Sequence, residues 1–280
     1  MMNNEYLDDF IENALTEDIG DGDHTSLSCF SKTQTGKAQL IIKQDGVIAG
    51  IEVAKCIINK LDGLAVDVLI RDGTNVKKGD IAFIVKGRVI SILQAERLIL
   101  NIMQRMSGIA TQTRKYVKEI EGFKAKILDT RKTTPGIRFL EKAAVKIGGG
   151  ENHRMGLYDM IMLKDNHIDF AGGILQAIQL THQYLKEKNK NLKIVIEVRT
   201  LEDVRKVLLI GGVDRIMLDN FSPKKTKEAV KLINGKFQTE SSGGITLINL
   251  RKYAECGVDF ISIGALTHQI KSLDMSLKAI

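Results

Sequence analysis

From residue 124 onward the chain alternates between two kinds of segment. Six short apolar runs, "KAKILDT", "DMIML", "KIVIEV", "DRIML", "KFQTES" and "DFISI", are separated by helix-like stretches such as "GILQAIQLTHQYLKEK" and "SPKKTKEAVKLI". Strands that alternate with helices bury both faces by lining up in parallel, with right-handed crossovers. Pro223 stands where the first turn of a helix tolerates it. Six units fall short of the eight of a closed barrel. The expected fold class is therefore α/β with an incomplete, six-stranded α/β barrel, and an open doubly wound sheet is the second choice.

The first part of the chain reads differently. Residues 4–16 have helical periodicity, with Leu7, Phe10, Ile11 and Ala14 on one face. "EDIGDGDHTS" breaks that helix. Residues 36–90 read mainly as short strands with glycine turns, ending in "RVISI". "DGTNVKKGD" (72–80) is turn chemistry between two of them. Such turns also occur in small domains that carry biotin or lipoate, but a plain structural turn is the favoured reading. Residues 92–106 form a helix with Leu98, Ile99, Ile102, Met103 and Met106 as an apolar stripe and Arg105 beside it. A second helix is expected in "SGIATQTRKYVKEIEG", with a domain boundary near Ser107–Gly108. The expected domains therefore divide between residues 108 and 109.

In a parallel barrel the working groups sit at the carboxyl ends of the strands. Here those ends are polar throughout. They run into Asp129-Thr130-Arg131-Lys132, Lys164-Asp165-Asn166-His167, Glu197, Asp219-Asn220, Glu240-Ser241-Ser242-Gly243-Gly244 and Ser262-Ile263-Gly264. One charged strand end would mean little; six converging on one rim make a site. Arg131, Lys132, Arg154 and Lys164 are cations, with His153 a possible fifth, and guanidinium forks suit carboxylates and phosphates. Glu197 and Asp219 could hold a hard cation such as Mg2+, directly or through water. Ser242, Gly243, Gly244 and Gly264 offer backbone N–H groups ahead of helices, where phosphate binds readily. A highly anionic, phosphorylated substrate with Mg2+ follows from these residues. The bland alternatives are helix caps for Asn166 and Ser242, a surface role for His182, a structural one for His24 and an inert core thiol for Cys256. In "GGGENHRMG" (148–156), Gly148 alone would cap the preceding helix, and two more glycines suggest backbone that bends sharply or comes close to something just ahead of His153 and Arg154.

Bulk properties narrow the class further. The net charge is +7 over 280 residues, without a basic tail, an aromatic platform or a nucleic-acid motif, which disfavours nucleic-acid binding. No apolar run is long enough to span a membrane, and "MMNNEYLDDF" lacks the features of a secretory leader. Cys29, Cys56 and Cys256 lie far apart, as expected of reduced thiols in a cytoplasmic protein.

The segments "EDIGDGDHTS", "LNIMQRMSGIAT", "DTRKTTPGIRFLEKAAVKIGGGENHRMGLYDMIMLKDNH", "IEV", "IMLDN", "ESSGGI" and "GVDFISIGALTH" closely resemble the quinolinate phosphoribosyltransferase family. They span nearly the whole chain in the family's order. "GDHTS", Cys256 and Gln269 are small departures from the family pattern. The resemblance implies an N-terminal α/β sandwich, residues 1–108, packed on the incomplete barrel, residues 109–267, with residues from about 268 to 280 returning to the first domain. It also implies a homodimer with active sites shared across subunits, with hexamers left open. Arg105 would reach the partner's active site. Arg131, His153, Arg154 and Lys164 match residues around the two carboxylates of quinolinate. Lys132, Glu197, Asp219, Ser242, Gly243, Gly264 and His268 match those around phosphoribosyl pyrophosphate and its Mg2+. Thr130, Gly244, Ser262 and Ile263 lie beside them. The implied reaction gives nicotinate mononucleotide, pyrophosphate and CO2, in NAD biosynthesis, with Lys132, Lys164, Glu197 and Asp219 as the catalytic groups. The rivals are a molybdenum-associated branch of the same superfamily with another acceptor, and a phosphate-binding barrel lyase or isomerase.

Overall fold

The computed structural model describes residues 4–280. Residues 1–3, at the head of the stretch read above as lacking a secretory leader, lie outside the described residues. In chain order the first elements are α1 (Asn4–Ile19), α2 (His24–Cys29), β1 (Thr35–Ile42), β2 (Gly46–Val47), α3 (Ile51–Lys60), β3 (Leu64–Val68), β4 (Asn75–Val76), β5 (Ile81–Arg88) and α4 (Val89–Glu119). Next come β6 (Lys126–Leu128), α5 (Arg138–Ile147), β7 (Ile161–Leu163), α6 (Asp165–Ala171), α7 (Ile174–Glu187), β8 (Ile194–Val198), α8 (Leu201–Ile210) and β9 (Arg215–Asp219). The last are α9 (Pro223–Ile233), β10 (Gln238–Ser242), α10 (Leu250–Ala254), β11 (Phe260–Ser262), α11 (Ala265–His268) and β12 (Met275–Ala279).

The chain divides into two compact units. One holds the chain up to Arg114, together with Phe139–Gly149 and Gln269–Ile280; the other holds Lys115–Arg138 and Gly150–His268. Residues 139–149, which the sequence reading left inside the barrel domain, thus group with the first unit.

The first unit is built on an antiparallel sheet of order β12-β1-β5-β3. The carboxyl-terminal strand belongs to it, with Leu277 opposite Leu40. Leu40, Ile42, Ile57, Ile58 and Phe83 are buried in its core, each side chain contributing about 1.5–3 kcal/mol. Three expectations need correcting here. Residues 36–90 contain a helix, α3, whose β-branched face (Ile51, Val53, Ile57, Ile58) is buried and imitates a strand in sequence. "RVISI" is not a strand either, because β5 ends at Arg88 and α4 begins at once. The helix α4 is a single 31-residue element and is not broken at Ser107–Gly108. A glycine in mid-helix costs about 1 kcal/mol, and its reason is spatial: a Cβ at Gly108 would stand 2.4 Å from the Lys271 carbonyl oxygen.

The second unit carries six parallel strands in the order β6-β11-β10-β9-β8-β7. The edge strands β6 and β7 do not pair with each other, which makes this an incomplete barrel. Its strands are short and β-branched because helices cover them. Ile196, Ile216 and Leu218 pack with Val204 and Val207 of α8 and Ala229 and Ile233 of α9 in one apolar cluster. Pro223 occupies the first turn of α9, and Ser222 caps it.

Candidate active site

The rim of the second unit is assembled from its strand ends. At the end of β6, Asp129 is fully buried. Its Oδ1 accepts the His153 backbone N–H at 2.8 Å, and its Oδ2 accepts the Asn152 Nδ2 at 2.5 Å. A parallel bridge between Leu128 and Glu151 lays the same segment along β6. Arg131, Lys132, His153 and Arg154 are thereby brought to one end of the sheet. Arg138 ties their flanks together: its Nε donates to Thr133 Oγ1 at 2.9 Å and its Nη1 to the Met155 carbonyl at 3.0 Å. Asp159 holds the turn beyond, accepting from the Met155 and Gly156 N–H groups at 2.8 and 3.0 Å. Sequence reasoning assigned no role to Asp129, Arg138 or Asp159. The only signal was an acid directly ahead of a cationic strand end.

Arg154 is buried and donates from Nη1 to the Met160 carbonyl at 3.2 Å. Burial, and then the neighbouring Arg131 guanidinium, lowers its pKa, with Asp159 opposing them. Two guanidinium groups thus lie close enough to repel. The Arg131 Nε is buried without a hydrogen-bond partner. Such a pair of desolvated cations is a receptor for a compact dianion.

His153 is also buried. Its Nδ1 accepts the Arg154 backbone N–H at 2.7 Å, and its Nε2 lies 3.5 Å from Glu240 Oε2. Both ring nitrogens therefore face protein atoms. A Cβ at Gly148 would stand 2.6 Å from the Ala110 carbonyl oxygen of α4, and Gly149 has a left-handed φ of 97°.

The next strand ends carry carboxylates. Glu197, half-buried on β8, has its pKa raised by burial first and by Asp219 second, while Lys164 acts against both. Lys164 precedes α6, its backbone N–H donating to His167 Nδ1 at 3.0 Å. On β9, Asp219 is fixed at both oxygens: Ser242 Oγ donates at 2.7 Å and Asn220 Nδ2 at 2.6 Å. Gly243 and Gly244 follow with φ of 86° and 61°. They lead into a loop and not into a helix start, since α10 begins only at Leu250. The helix-terminus reading of these two glycines is thus replaced by a left-handed turn packed against Asn220.

At the last strand, the Ile263 N–H extends the ladder to the Leu128 carbonyl at 2.9 Å, and Ser262 Oγ lies 3.4 Å from the Ser241 carbonyl. Gly264 leads directly into α11. A Cβ there would meet His268 Nε2 and Lys132 Cδ, both at 3.0 Å. Lys132, Gly264 and His268 therefore converge. The Lys132 N–H donates to Thr130 Oγ1 at 3.0 Å, and its carbonyl accepts from Thr267 Oγ1 at 2.8 Å.

Among the remaining candidates, Arg105 belongs to the first unit, where its Nε donates to the buried Glu141 at 2.8 Å. His182 is exposed and its Nε2 lies 2.7 Å from the Gly212 carbonyl. His24 is exposed beside Asp21. Cys256 is buried, and burial pushes its thiol pKa up, as expected of an unreactive sulfur. Among the described residues no group of three or more metal-binding side chains occurs, and no helix is long and apolar enough to cross a membrane.

Known proteins give this geometry a context. A nicotinate-nucleotide pyrophosphorylase (carboxylating) of Arabidopsis thaliana is 45% identical over 284 residues, covering 96% of this chain and 81% of that protein. A quinolinate phosphoribosyltransferase (decarboxylating) of Nicotiana glauca is 44% identical over 288 residues, covering 97% and 82%. The solved nicotinate-nucleotide pyrophosphorylase from Francisella tularensis superposes with a TM-score of 0.93 at 38% identity, covering 100% of this chain and 98% of that one. Residues 23–107 match the quinolinate phosphoribosyl transferase N-terminal domain and residues 109–278 match its C-terminal domain, so the chain belongs to the quinolinate phosphoribosyltransferase family.

Proposed function

We infer that this chain transfers a phosphoribosyl group from phosphoribosyl pyrophosphate to quinolinate with loss of CO2, giving nicotinate mononucleotide and pyrophosphate for NAD biosynthesis. The observation that carries the reading is the Arg131–Arg154 pair, with a buried Nε on Arg131 that has no hydrogen-bond partner. Quinolinate presents two adjacent carboxylates, the charge and shape that two clustered guanidinium groups take.

The chemistry follows from charge. The C–O bond to pyrophosphate breaks, positive charge develops on the sugar, and the pyridine nitrogen forms the new bond. Lys132, converging with Gly264 and His268, faces the leaving phosphates, and Glu197 and Asp219 favour the cationic sugar. The pyridinium nitrogen then stabilises the carbanion left when the adjacent carboxylate departs as CO2. A proton taken up at that carbon completes the product. Lys164 and Arg154 hold the retained carboxylate.

A Mg2+ ion fits the carboxylate pair. Glu197 and Asp219 are hard oxygen donors close enough to raise the Glu197 pKa, and two carboxylates completed by substrate phosphates and water are a usual Mg2+ environment. When bound, the ion would neutralise the pyrophosphate.

A homodimer in which Arg105 serves the partner's site is part of the same reading, supported by the family resemblance. A cytoplasmic location is supported by the three free thiols.

The test is incubation with quinolinate, phosphoribosyl pyrophosphate and Mg2+, with product followed by absorbance and mass and nicotinate as the control acceptor. Nicotinate mononucleotide from quinolinate alone is the expected result. No product from either acceptor would refute the reading and move the chain to the branch with another acceptor.

A further inference from the structure

The Arg154 guanidinium is aimed by its backbone, and its backbone is held by an imidazole. The Arg154 N–H donates to His153 Nδ1 at 2.7 Å. A ring whose Nδ1 accepts carries its proton on Nε2. Nε2 faces Glu240 Oε2 at 3.5 Å. The same oxygen accepts from Arg215 Nη1 at 2.7 Å. Arg215 is fixed in turn by the Phe260 ring at 3.9 Å and by Gln238 Oε1, 3.3–3.4 Å from its Nη2 and Nε.

We propose that the buried Arg215–Glu240 pair is a positioning device that fixes the His153 ring, and through it the Arg154 guanidinium, for binding the acceptor's carboxylates. The proposal rests on the phosphoribosyl-transfer reading above for the identity of that acceptor.

Three observations separate this from an ordinary core ion pair. Glu240 is fully buried, yet its Oε1 has no hydrogen-bond partner. Such a pair is no more stabilising than well-packed apolar side chains of the same volume, so stability alone does not account for it. Arg215 and His153 converge on one oxygen, the arrangement needed to orient a ring rather than to neutralise a charge. The chain of contacts also ends at a residue of the site: His153 is held at its backbone by Asp129 and at Nδ1 by the Arg154 N–H, and its Nε2 lies 3.5 Å from Glu240 Oε2. Burial alone would raise the Glu240 pKa, but His153 and Arg215 beside it hold it below the ordinary glutamate value, so the carboxylate stays charged.

The test uses two variants of the whole chain. Glu240→Gln keeps an oxygen where both partners use it. The double variant Arg215→Met with Glu240→Leu removes the device without leaving a lone buried charge. Melting temperature shows which variants fold. In Glu240→Gln the KM for quinolinate is expected to stay within about threefold of wild type. In the double variant it rises about tenfold or more while the KM for phosphoribosyl pyrophosphate holds within about twofold, the signature of one misplaced contact. Nitrogen NMR of the five histidines, assigned with His153→Gln, gives a readout independent of turnover. It should show a neutral ring protonated on Nε2 in the wild type and in Glu240→Gln, and a tautomer mixture in the double variant. A folded double variant with an unchanged quinolinate KM overturns the proposal. So do equal rises in both KM values, an unchanged tautomer, or a tenfold defect in Glu240→Gln. A wild-type protein inactive toward quinolinate would instead refute the substrate reading, and the tautomer measurement alone would then decide the device.

Discussion

Gly243→Ala should damage both fold and activity, and Gly235→Ala isolates the reason. Both glycines have left-handed backbone, with φ of 86° and 74°, so alanine at either costs about 1–2 kcal/mol. At Gly235 nothing lies within 4 Å of the new Cβ. At Gly243 the Cβ would fall 2.2 Å from Asn220 Oδ1 and 2.9 Å from the Asn220 backbone nitrogen. Turning the amide away breaks its 2.6 Å bond to Asp219, a loss of about 1 kcal/mol. The backbone contact remains, so the ends of β9 and β10 must separate, stretching the 2.9 Å bond from the Asn220 N–H to the Ser242 carbonyl. That adds about 1 kcal/mol more. The sum is about 3–4 kcal/mol for Gly243→Ala against 1–2 for Gly235→Ala, or Tm losses of about 10 °C against about 4 °C. The same movement displaces Asp219 and Ser242, so the KM for phosphoribosyl pyrophosphate should rise about tenfold in Gly243→Ala and stay unchanged in Gly235→Ala. Calorimetry and initial rates read both effects. Equal Tm losses and equal KM values in the two variants would refute the steric argument.

Arg154→Ala should lower kcat/KM about a hundredfold or more, the loss of one charged contact of about 3 kcal/mol, while Tm moves by less than about 5 °C; equal losses in rate and stability would count against direct contact with substrate. Asp129→Ala leaves the His153 N–H and the Asn152 amide without their buried acceptor, a cost of about 2–4 kcal/mol, and thermal melts should show Asp129→Asn, which keeps one acceptor, to be milder. Glu197→Gln bears on pH. Burial and Asp219 raise the folded-state pKa of Glu197 above its unfolded value, so its contribution to stability is present below the unfolded pKa and is lost as pH rises through the folded one. At neutral pH the glutamine variant should therefore melt higher than wild type, by a margin that shrinks toward pH 4, and should be far less active. A variant that melts lower than wild type at pH 7 would contradict that sign.

The strand ends were legible because parallel-barrel topology sends every one of them to the same rim. Gly264 is legible as a backbone N–H ahead of a helix, and the structure adds that Lys132 and His268 crowd the same point. The interior side of the site was not legible. Glu240 read as one more polar residue at a strand end, yet it lies two residues before Ser242 and its side chain is fully buried. Its partner Arg215 stands at the opposite end of the neighbouring strand, and only the β9–β10 register, with Gln238 opposite Arg215, brings the two together. Arg138 was hidden for a related reason: it touches Thr133 and Met155, one on each side in sequence, through a loop closure that no local pattern encodes. The glycines of "GGGENHRMG" signal a sharp bend or a close approach, and the structure has both, a left-handed turn at Gly149 and the approach of Gly148 to Ala110. What no local pattern encodes is that the close neighbour is α4.

The sheet order makes sense of why charges of both signs are left strained on one rim. Taken across the sheet, β6 contributes Arg131, the end of β11 meets Lys132 and His268, β10 brings Ser242, β9 Asp219, β8 Glu197 and β7 Lys164. Arg154 has its pKa lowered and Glu197 has its pKa raised, so each is held in a charged form that its surroundings disfavour. Placed side by side the two would pair, and each shift would be reduced. Asp219 is satisfied by neutral donors rather than by a cation. A ligand complementary to these shifts carries negative charge near Arg154 and positive charge near Glu197 and Asp219. A dicarboxylate joined to a sugar that becomes cationic as it reacts has that distribution, and has it most fully at the transition state. The distribution of charge along the rim is therefore complementary to the reaction.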